Sequence, residues 1–483
     1  MKYNLLHEYY KTRATDNNAS DLVNMYLDIT PQKQEEGDPE PKYSIVAYPT
    51  DGLVAWNSGT GSVVRGGIEV NGVVYFVVDN TFYSYDSSGV RTSRGTLLTS
   101  TGLVDISTIF NQITITDGTY GYNYNTGTNT FAQITDVDFP ATAQTSASTG
   151  GYVFVSPVNS ATVYGSDISD GTSWNPLSFS TKSVSSDFIK RLITLNDKLV
   201  VVGTYTSEIW YNDGGATFSY SIVSGSNFNH GTPASRSVAR GTEFLGYLRR
   251  VERTPVLYML GQSRTGGLAI IAITESGIRD IHNQGIIERI NSFTTVSDAI
   301  GFVYEKDGHE FYTLTFPTEG VTFQYDTTNK LWLERQSYVN SSYTRWMANC
   351  YVYGYNKHLV GDYQSGKIYY LDRNTYTENS TPILRRLVTN PSYAGGRKAY
   401  LNRLQLDVQT GVGSNKTITL EVSKDSGQTY PTSYSGTLPA AGGRLFWDRL
   451  GYTQNAFCFR ITTTTDALFT ILGAQAEATI GIH

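Results

Sequence analysis

One kind of phrase recurs along this chain: a run of β-branched and aromatic residues, a polar turn, then a second such run. It reads HLVGDYQSGKIYYLD at 358–372, VYFVVDNTFYSYD at 74–86, ITITDGTYGYNYN at 113–125 and HEFYTLTFPTEGVTFQYD at 309–326. Each phrase is a hairpin, and a lone hairpin is marginal in water. A chain that repeats it must lay hairpins side by side and bury a common face. Asn71-Gly72 sits at one such turn, and Asn-Gly is the pair favoured where both central residues need positive φ. From Tyr85 to Tyr124, which end equivalent strands, is about 40 residues, the length of one four-stranded propeller blade. The units share turns and aromatics rather than a consensus, so about five to seven blades fit and the pattern does not choose.

Composition supports an all-β fold. Only 17% of residues are charged, while the 483 residues include 46 Gly and 36 Tyr. That suits short strands with many turns and fits a helical enzyme poorly. Aromatic and β-branched residues are too plentiful throughout for disorder. A net charge of −6 argues against a nucleic-acid clamp but not against a surface that lets DNA slide past. No apolar stretch has transmembrane length, and MKYNLLHEYYKTRATDNN lacks the apolar core of a signal peptide, so no membrane anchor is expected. Cys350 and Cys458 are the only cysteines. They read as buried free thiols rather than a disulfide or a thiolate–metal site.

Three regions follow. Residues 1–48 form an extended N-terminal arm, with an apolar VNMYLDI patch and an exposed TPQKQEEGDPEPK bend. Residues 49–380 form the β-propeller body, and 381–483 a C-terminal β-sandwich-like domain in which KTITLEV alternates polar and apolar side chains. A short helix is expected in SDAIGFVY, residues 297–304, ahead of the strand that ends it.

The sequence offers little catalytic chemistry. SKDSGQTY, residues 423–430, matches an Asp-box. In such a turn Asp425 accepts backbone N–H groups, Gly427 supplies a special dihedral and Tyr430 packs beneath, which is a structural role. A glycosidase needs two carboxylates across a cleft. Asp280 with Glu305, or Asp362 with Asp372, are candidates, but acidic residues at hairpin turns are common for backbone reasons. Arg249, Arg250 and Arg253 lie too close together in sequence to converge on a sugar carboxylate. The six histidines, His7, His230, His282, His309, His358 and His483, have no metal spacing. No nucleophile elbow, phosphate loop or dinucleotide fingerprint occurs. The expectation is no catalytic residue, no cofactor and no metal.

Two stretches suit contact with a partner instead. One is the apolar patch at Met25, Tyr26 and Leu27. The other is the basic stretch 384–403, which gathers Arg385, Arg386, Arg397, Lys398 and Arg403. A solvated face or an inter-subunit ion pair is the plain reading of that stretch, and an acidic partner ring or DNA the sharper one.

The order of phrases adds a resemblance. NNASDLVNMYLDI precedes YPTDGL and an all-β meander. DFIKRLITLNDKLVVVGTYTSEIWY and NFNHGTPASRSVARGTEFLGYL come midway, and HLVGDYQSGKIYYLDRNTYTENSTPILRRLV leads into the final domain. This plan, from about residue 17 to 475, resembles the packaged-DNA stabilisation, or tail accessory factor, family of short-tailed bacteriophages, which includes tail hub and nozzle proteins. The resemblance implies a structural protein of the virion tail, assembled in the host cytoplasm. It also implies a homo-oligomeric ring, a hexamer, below the portal and adaptor. Such a ring passes double-stranded DNA without sequence preference, retains the packaged genome and offers surfaces for tail fibres or tailspikes. The alternative is a virion-borne β-propeller glycan hydrolase or a carbohydrate-binding receptor protein.

Overall fold

The structure is a computed structural model that describes residues 2–3, 6–12, 19–31, 43–57, 59–182, 185, 187–245, 252–393, 396–413, 416–454 and 456–481. Most of the TPQKQEEGDPEPK bend, together with Arg249, Arg250 and His483, lies outside the described residues.

Among the described residues, seven antiparallel blades of four strands stand around an axis. They occupy 64–96, 105–133, 143–181, 189–228, 239–280, 300–339 and 348–372, the last completed by Gly52–Ala55. The first strand of each blade is innermost, and Ala348–Gly354 of the seventh lies against Val64–Val70 of the first, which closes the ring. The 3-10 turn Ser235–Ser237 fills the wall between the fourth and sixth blades. Closure depends on a strand from far away in sequence, because Gly52–Ala55 pairs with Ile368–Asp372 in the register Asp372 to Gly52 and Tyr369 to Ala55. Gly52 must be glycine there, since a Cβ would sit 2.3 Å from the Thr375 carbonyl oxygen.

Local chemistry explains the hairpins. Asn71 and Gly72 take φ of 51° and 79°, and Asp307 and Gly308 take 51° and 85°, the paired left-handed conformations of a type I′ turn. Alternate residues of each blade then meet the next blade. Tyr75, Phe82, Tyr122 and Tyr124 form one such apolar layer between the first two blades, with Tyr75 and Phe82 stacked 5.4 Å apart.

The helix falls elsewhere than expected. Ile300–Lys306 in SDAIGFVY is a blade strand, and residues 297–298 make only a turn. The α-helix is Gln284–Asn291, capped by Asn283, whose side chain accepts from the Ile286 N–H at 3.0 Å. Its isoleucines Ile286, Ile287 and Ile290 are buried, and three β-branched residues in eight read as strand from sequence alone.

The sandwich is built from both ends of the chain. One sheet runs Met25–Pro31, Tyr43–Pro49, Ile471–Ile480, Ala399–Val408, Leu445–Thr453. The other continues the sixth blade. Leu331–Val339 meets Ala19–Val23, followed by Arg385–Val388, Ala456–Thr463, Thr417–Ser423 and Thr432–Thr437. The N-terminal arm is therefore extended and lies within the body, with strands in both sheets.

Asn24 ties these parts together. It is fully buried with φ 53°, a region an Asn tolerates better than most residues. Its Nδ2 donates to the Gln336 and Leu384 carbonyls at 2.9 and 2.8 Å, and its Oδ1 accepts from the Gln336 N–H at 3.0 Å. Its own N–H donates to the Glu334 carbonyl at 2.9 Å, and its carbonyl accepts from the Thr50 N–H at 3.0 Å. One residue thus bonds to the sixth blade, to the sandwich and to the segment that leads into the seventh blade.

The next strand adds a charged contact. Tyr26 packs on His309 and Phe311 of the sixth blade, with ring centres 4.9 and 5.6 Å away. His309 Nδ1 lies 2.8 Å from the Asp326 carboxylate, and its Nε2 lies 3.9 Å from Asp28. Burial alone would lower the imidazole's pKa, but the Asp326 hydrogen bond and the Asp326, Asp28 and Asp307 charges outweigh it and raise it above 6.5.

Two predictions follow from this junction. Asn24→Ala strands two buried carbonyls and one N–H, and puts a Cβ-bearing apolar residue in the left-handed region. It should cost about 3–5 kcal/mol in denaturant unfolding, with Asn24→Gly about 1 kcal/mol less damaging because it relieves only the backbone part. The His309 contribution is complete below an unfolded pKa of about 6.5 and is lost as pH rises through the higher folded value. Thermal melts should therefore show a loss of stability from about pH 6.5 upward that His309→Gln abolishes.

Candidate functional site

The residues expected at an interface divide by depth. Met25 and Leu27 are buried in the sandwich core beside Leu404, Leu406, Phe459 and Ile461. Tyr26 is half-buried against the sixth blade and stacks on Tyr48 at 5.8 Å. The apolar patch is thus covered by the chain itself, a correction to its expected place between chains. Amphipathic alternation in Met25–Pro31 turns Met25 and Leu27 to one face, and the C-terminal strands supply the apolar layer that covers it.

Arg385 and Arg386 are likewise internal. Arg385 is fully buried and donates to the Thr465 and Tyr376 carbonyls at 2.8 and 3.2 Å. Burial, with Arg335 nearby, lowers its pKa to about 10. Buried Glu378 supplies the compensating charge. It lies 3.8 Å from Arg335 and accepts from Trp346 Nε1 at 3.1 Å. Arg386 donates to Asp21, a buried carboxylate that also pairs with Lys11. Ala19–Val23 and Arg385–Val388 are adjacent strands, which is what brings the two charges together. These two arginines join parts of one chain, not two chains.

The rest of the basic stretch faces outward. Arg397 is exposed. Lys398 lies over the Tyr452 and Tyr400 rings at 4.0 and 5.3 Å. Arg403 pairs with Asp448 at 2.6 Å and covers the Phe446 ring at 4.5 Å. Tyr400, Phe446 and Tyr452 are 40%, 45% and 52% exposed. Together they form a plate of aromatic rings and cations on the outer face of a sandwich sheet. Beside it, a cavity of about 550 Å³ lined by Tyr393, Leu401, Phe457, Phe459 and Ile480 opens between the two sheets. Sequence reasoning named the cations and missed the rings. The signal was present in AYLNRLQL and LFWDRLGYT, whose outward positions carry aromatics where a solvated face carries small polar residues.

Of the catalytic candidates, Asp280 is exposed at the end of a blade strand, and the other three are engaged in turns and pairs. Glu305 takes both Arg253 guanidinium nitrogens at 2.7 Å. Asp362 accepts from the Gln364 N–H at 2.9 Å, and Asp372 from Thr375 Oγ1 at 2.6 Å. The Asp-box is a structural turn. Asp425 accepts from Ser423 Oγ at 2.6 Å and the Thr429 N–H at 2.9 Å, Gly427 has φ 90°, and Tyr430 lies 3.2 Å from Cys458 Sγ. Slight burial raises the Asp425 pKa, and these hydrogen bonds outweigh it and hold it below the ordinary value. Cys458 is buried, and Cys350 half-buried. Among the described residues, no group of three or more His, Cys, Asp or Glu is arranged to hold a metal ion.

A second charged cluster, unmarked in the sequence, occupies the propeller axis. Asp105 accepts from Arg191 Nη1 at 2.6 Å, Thr145 Oγ1 at 2.8 Å and the Ser146 N–H at 3.1 Å, with Arg236 Nη1 at 3.4 Å. Arg236 also donates to the Leu103 and Val104 carbonyls at 3.1 Å. Burial lowers its pKa to about 10, with Asp105 opposing the shift. Residues from the second, third and fourth blades and from the 3-10 turn therefore share one carboxylate.

Comparison with known proteins agrees with the architecture. The family model described as Bacteriophage P22 Gp10, beta-propeller, matches residues 10–376, and that described as Bacteriophage P22 Gp10, beta-sandwich, matches 385–479. No curated protein matches the chain significantly. Among solved structures, the extracellular domain of the putative hybrid two component system BT4673 from B. thetaiotaomicron is 12% identical, with TM-score 0.43, and covers 76% of this chain. This chain spans 45% of that one. The computationally designed Ika8 protein is 12% identical, with TM-score 0.39, over 66% of this chain and 99% of its own. YCF48 bound to D1 peptide is 11% identical, also with TM-score 0.39, over 67% and 97%. The two family matches cover nearly the whole sequence in the order propeller then sandwich, and the chain belongs to the bacteriophage P22 Gp10 family of phage stabilisation proteins, structural rather than catalytic components of the phage tail.

Proposed function

We propose that the chain forms a closed homo-oligomeric ring, a hexamer, below the portal and adaptor. In this reading the ring continues the DNA channel, helps retain the packaged genome and carries tail fibres or spikes. The observation that carries the proposal is the outward plate of Lys398, Tyr400, Arg403, Phe446 and Tyr452 on a stiff sheet. Aromatic rings backed by cations are what a large protein interface enriches at its core, and single exposed rings would need no explanation. The sandwich that bears them is tied to the propeller through Ala19–Val23 of its other sheet and through Asn24. A neighbour docked on the plate therefore meets a rigid body, which lowers the ordering cost of assembly.

A closed symmetric ring creates a lumen without any chain having to span it. A net charge of −6 suits that lumen. A basic lining would hold phosphates and make release depend on salt, whereas a neutral or acidic one lets DNA pass.

Native mass spectrometry and negative-stain images of the full chain, and of particles assembled with variants, test this. Tyr400→Ala with Tyr452→Ala should keep the β circular dichroism spectrum and melting temperature yet lose rings, and its particles should leak DNA or lack tails. Full-strength rings from that double variant would refute the plate as the interface. Arg385→Ala serves as the contrast. It removes one member of a buried Arg–Glu–Arg cluster and should destabilise the monomer by about 2–5 kcal/mol, whatever the assembly state.

A further inference from the structure

A cavity of about 580 Å³ runs along the propeller axis between the inner strands of the second to fifth blades, within the size range of small-molecule sites. Its walls carry the polar residues Ser107, Ser146, Ser148, Thr194, Arg191 and Arg240 beside apolar ones such as Ile68, Ile106 and Leu192. Ser107 and Ser146 are 6% and 4% exposed, and among the described residues neither hydroxyl has a hydrogen-bond partner. Arg191 gives Nη1 to Asp105, while its buried Nε is also without a partner. Among the described residues, Arg240 has no acidic partner. It is open to channel water yet crowded by the channel walls, and that crowding is the sole cause that lowers its pKa.

A buried polar atom left alone is costly, and a hydrogen bond from water or a ligand recovers that cost. Water can satisfy hydroxyls, but it does not neutralise a guanidinium. Two arginines against the single carboxylate of Asp105 leave this cavity with an excess positive charge inside a chain whose net charge is −6. We infer that the axis is a binding site for a small anionic, polyhydroxylated ligand of monosaccharide size. Its phosphate or carboxylate is held by Arg240 and the free Nε of Arg191, and its hydroxyls by Ser107 and Ser146. A planar guanidinium edge suits two oxyanion oxygens, and serine hydroxyls both donate and accept, so they suit a sugar ring. The site is separate from the outward plate, and its test does not depend on ring assembly.

Isothermal titration of the full chain with inorganic phosphate, with glucuronate and with glucose decides the matter. Both oxyanions should bind and raise the melting temperature, the tighter of the two telling phosphate from carboxylate, and glucose should do neither. Arg240→Gln should leave the unliganded melting temperature unchanged and weaken binding about tenfold or more. Ser146→Ala should weaken it less. Absence of binding by both oxyanions, glucose binding as well as glucuronate, or an Arg240→Gln variant that titrates like the parent would overturn the assignment.

Discussion

Everything in this molecule hangs on how one short strand, Ala19–Val23, satisfies two sheet edges at once. The outer strand of the sixth blade, Leu331–Val339, would otherwise present unpaired backbone groups, and so would Arg385–Val388 at the edge of the sandwich. An uncovered edge of that kind invites pairing with another chain. The inserted strand joins the two into one continuous sheet, and Asn24 finishes the junction where regular pairing ends. From there the chain runs through the sandwich and returns to complete the seventh blade with Gly52–Ala55. Closure of the propeller and attachment of the sandwich are therefore one event in the structure, not two.

The charges sort by the same logic. Where strands from distant parts of the chain meet, buried or half-buried arginines are aimed at backbone carbonyls or shared carboxylates, as at Arg385, Arg335 and Glu378 or at Arg386 and Asp21. Such groups are costly to desolvate and their pairing offsets only part of that cost, so they add less to stability than their number suggests. On the outer sandwich face the cations instead lie across aromatic rings in contact with water, where a single pair is worth little and a surface for a partner is worth more. A tail protein needs both devices, since a rigid body is of use only if it presents a face.

The axis follows a third arrangement. Asp105 gathers side chains from several blades where their inner strands converge. It leaves positive charge in the middle of an acidic chain, which the packing of blades alone does not require.

The sequence by itself determined the period and the turns. Alternation and Asn-Gly or Asp-Gly pairs are local, and they impose hairpins whose φ values the structure repeats at Asn71, Gly72, Asp307 and Gly308. Blade length, the change to longer strands after the propeller, the structural turn at Asp425 and the order of family phrases were legible for the same reason. The number of blades was not. The seventh is finished by residues that precede the first, and nothing local in GLVA says which distant edge it joins. Nor could sequence tell that Met25, Leu27 and Arg385 face inward while Lys398 and Arg403 face out. All five sit in or directly beside strands of similar composition, and an alternating pattern defines two faces without saying which is covered. Only the tertiary structure decides that, because burial belongs to the pairing of distant strands and not to either strand alone.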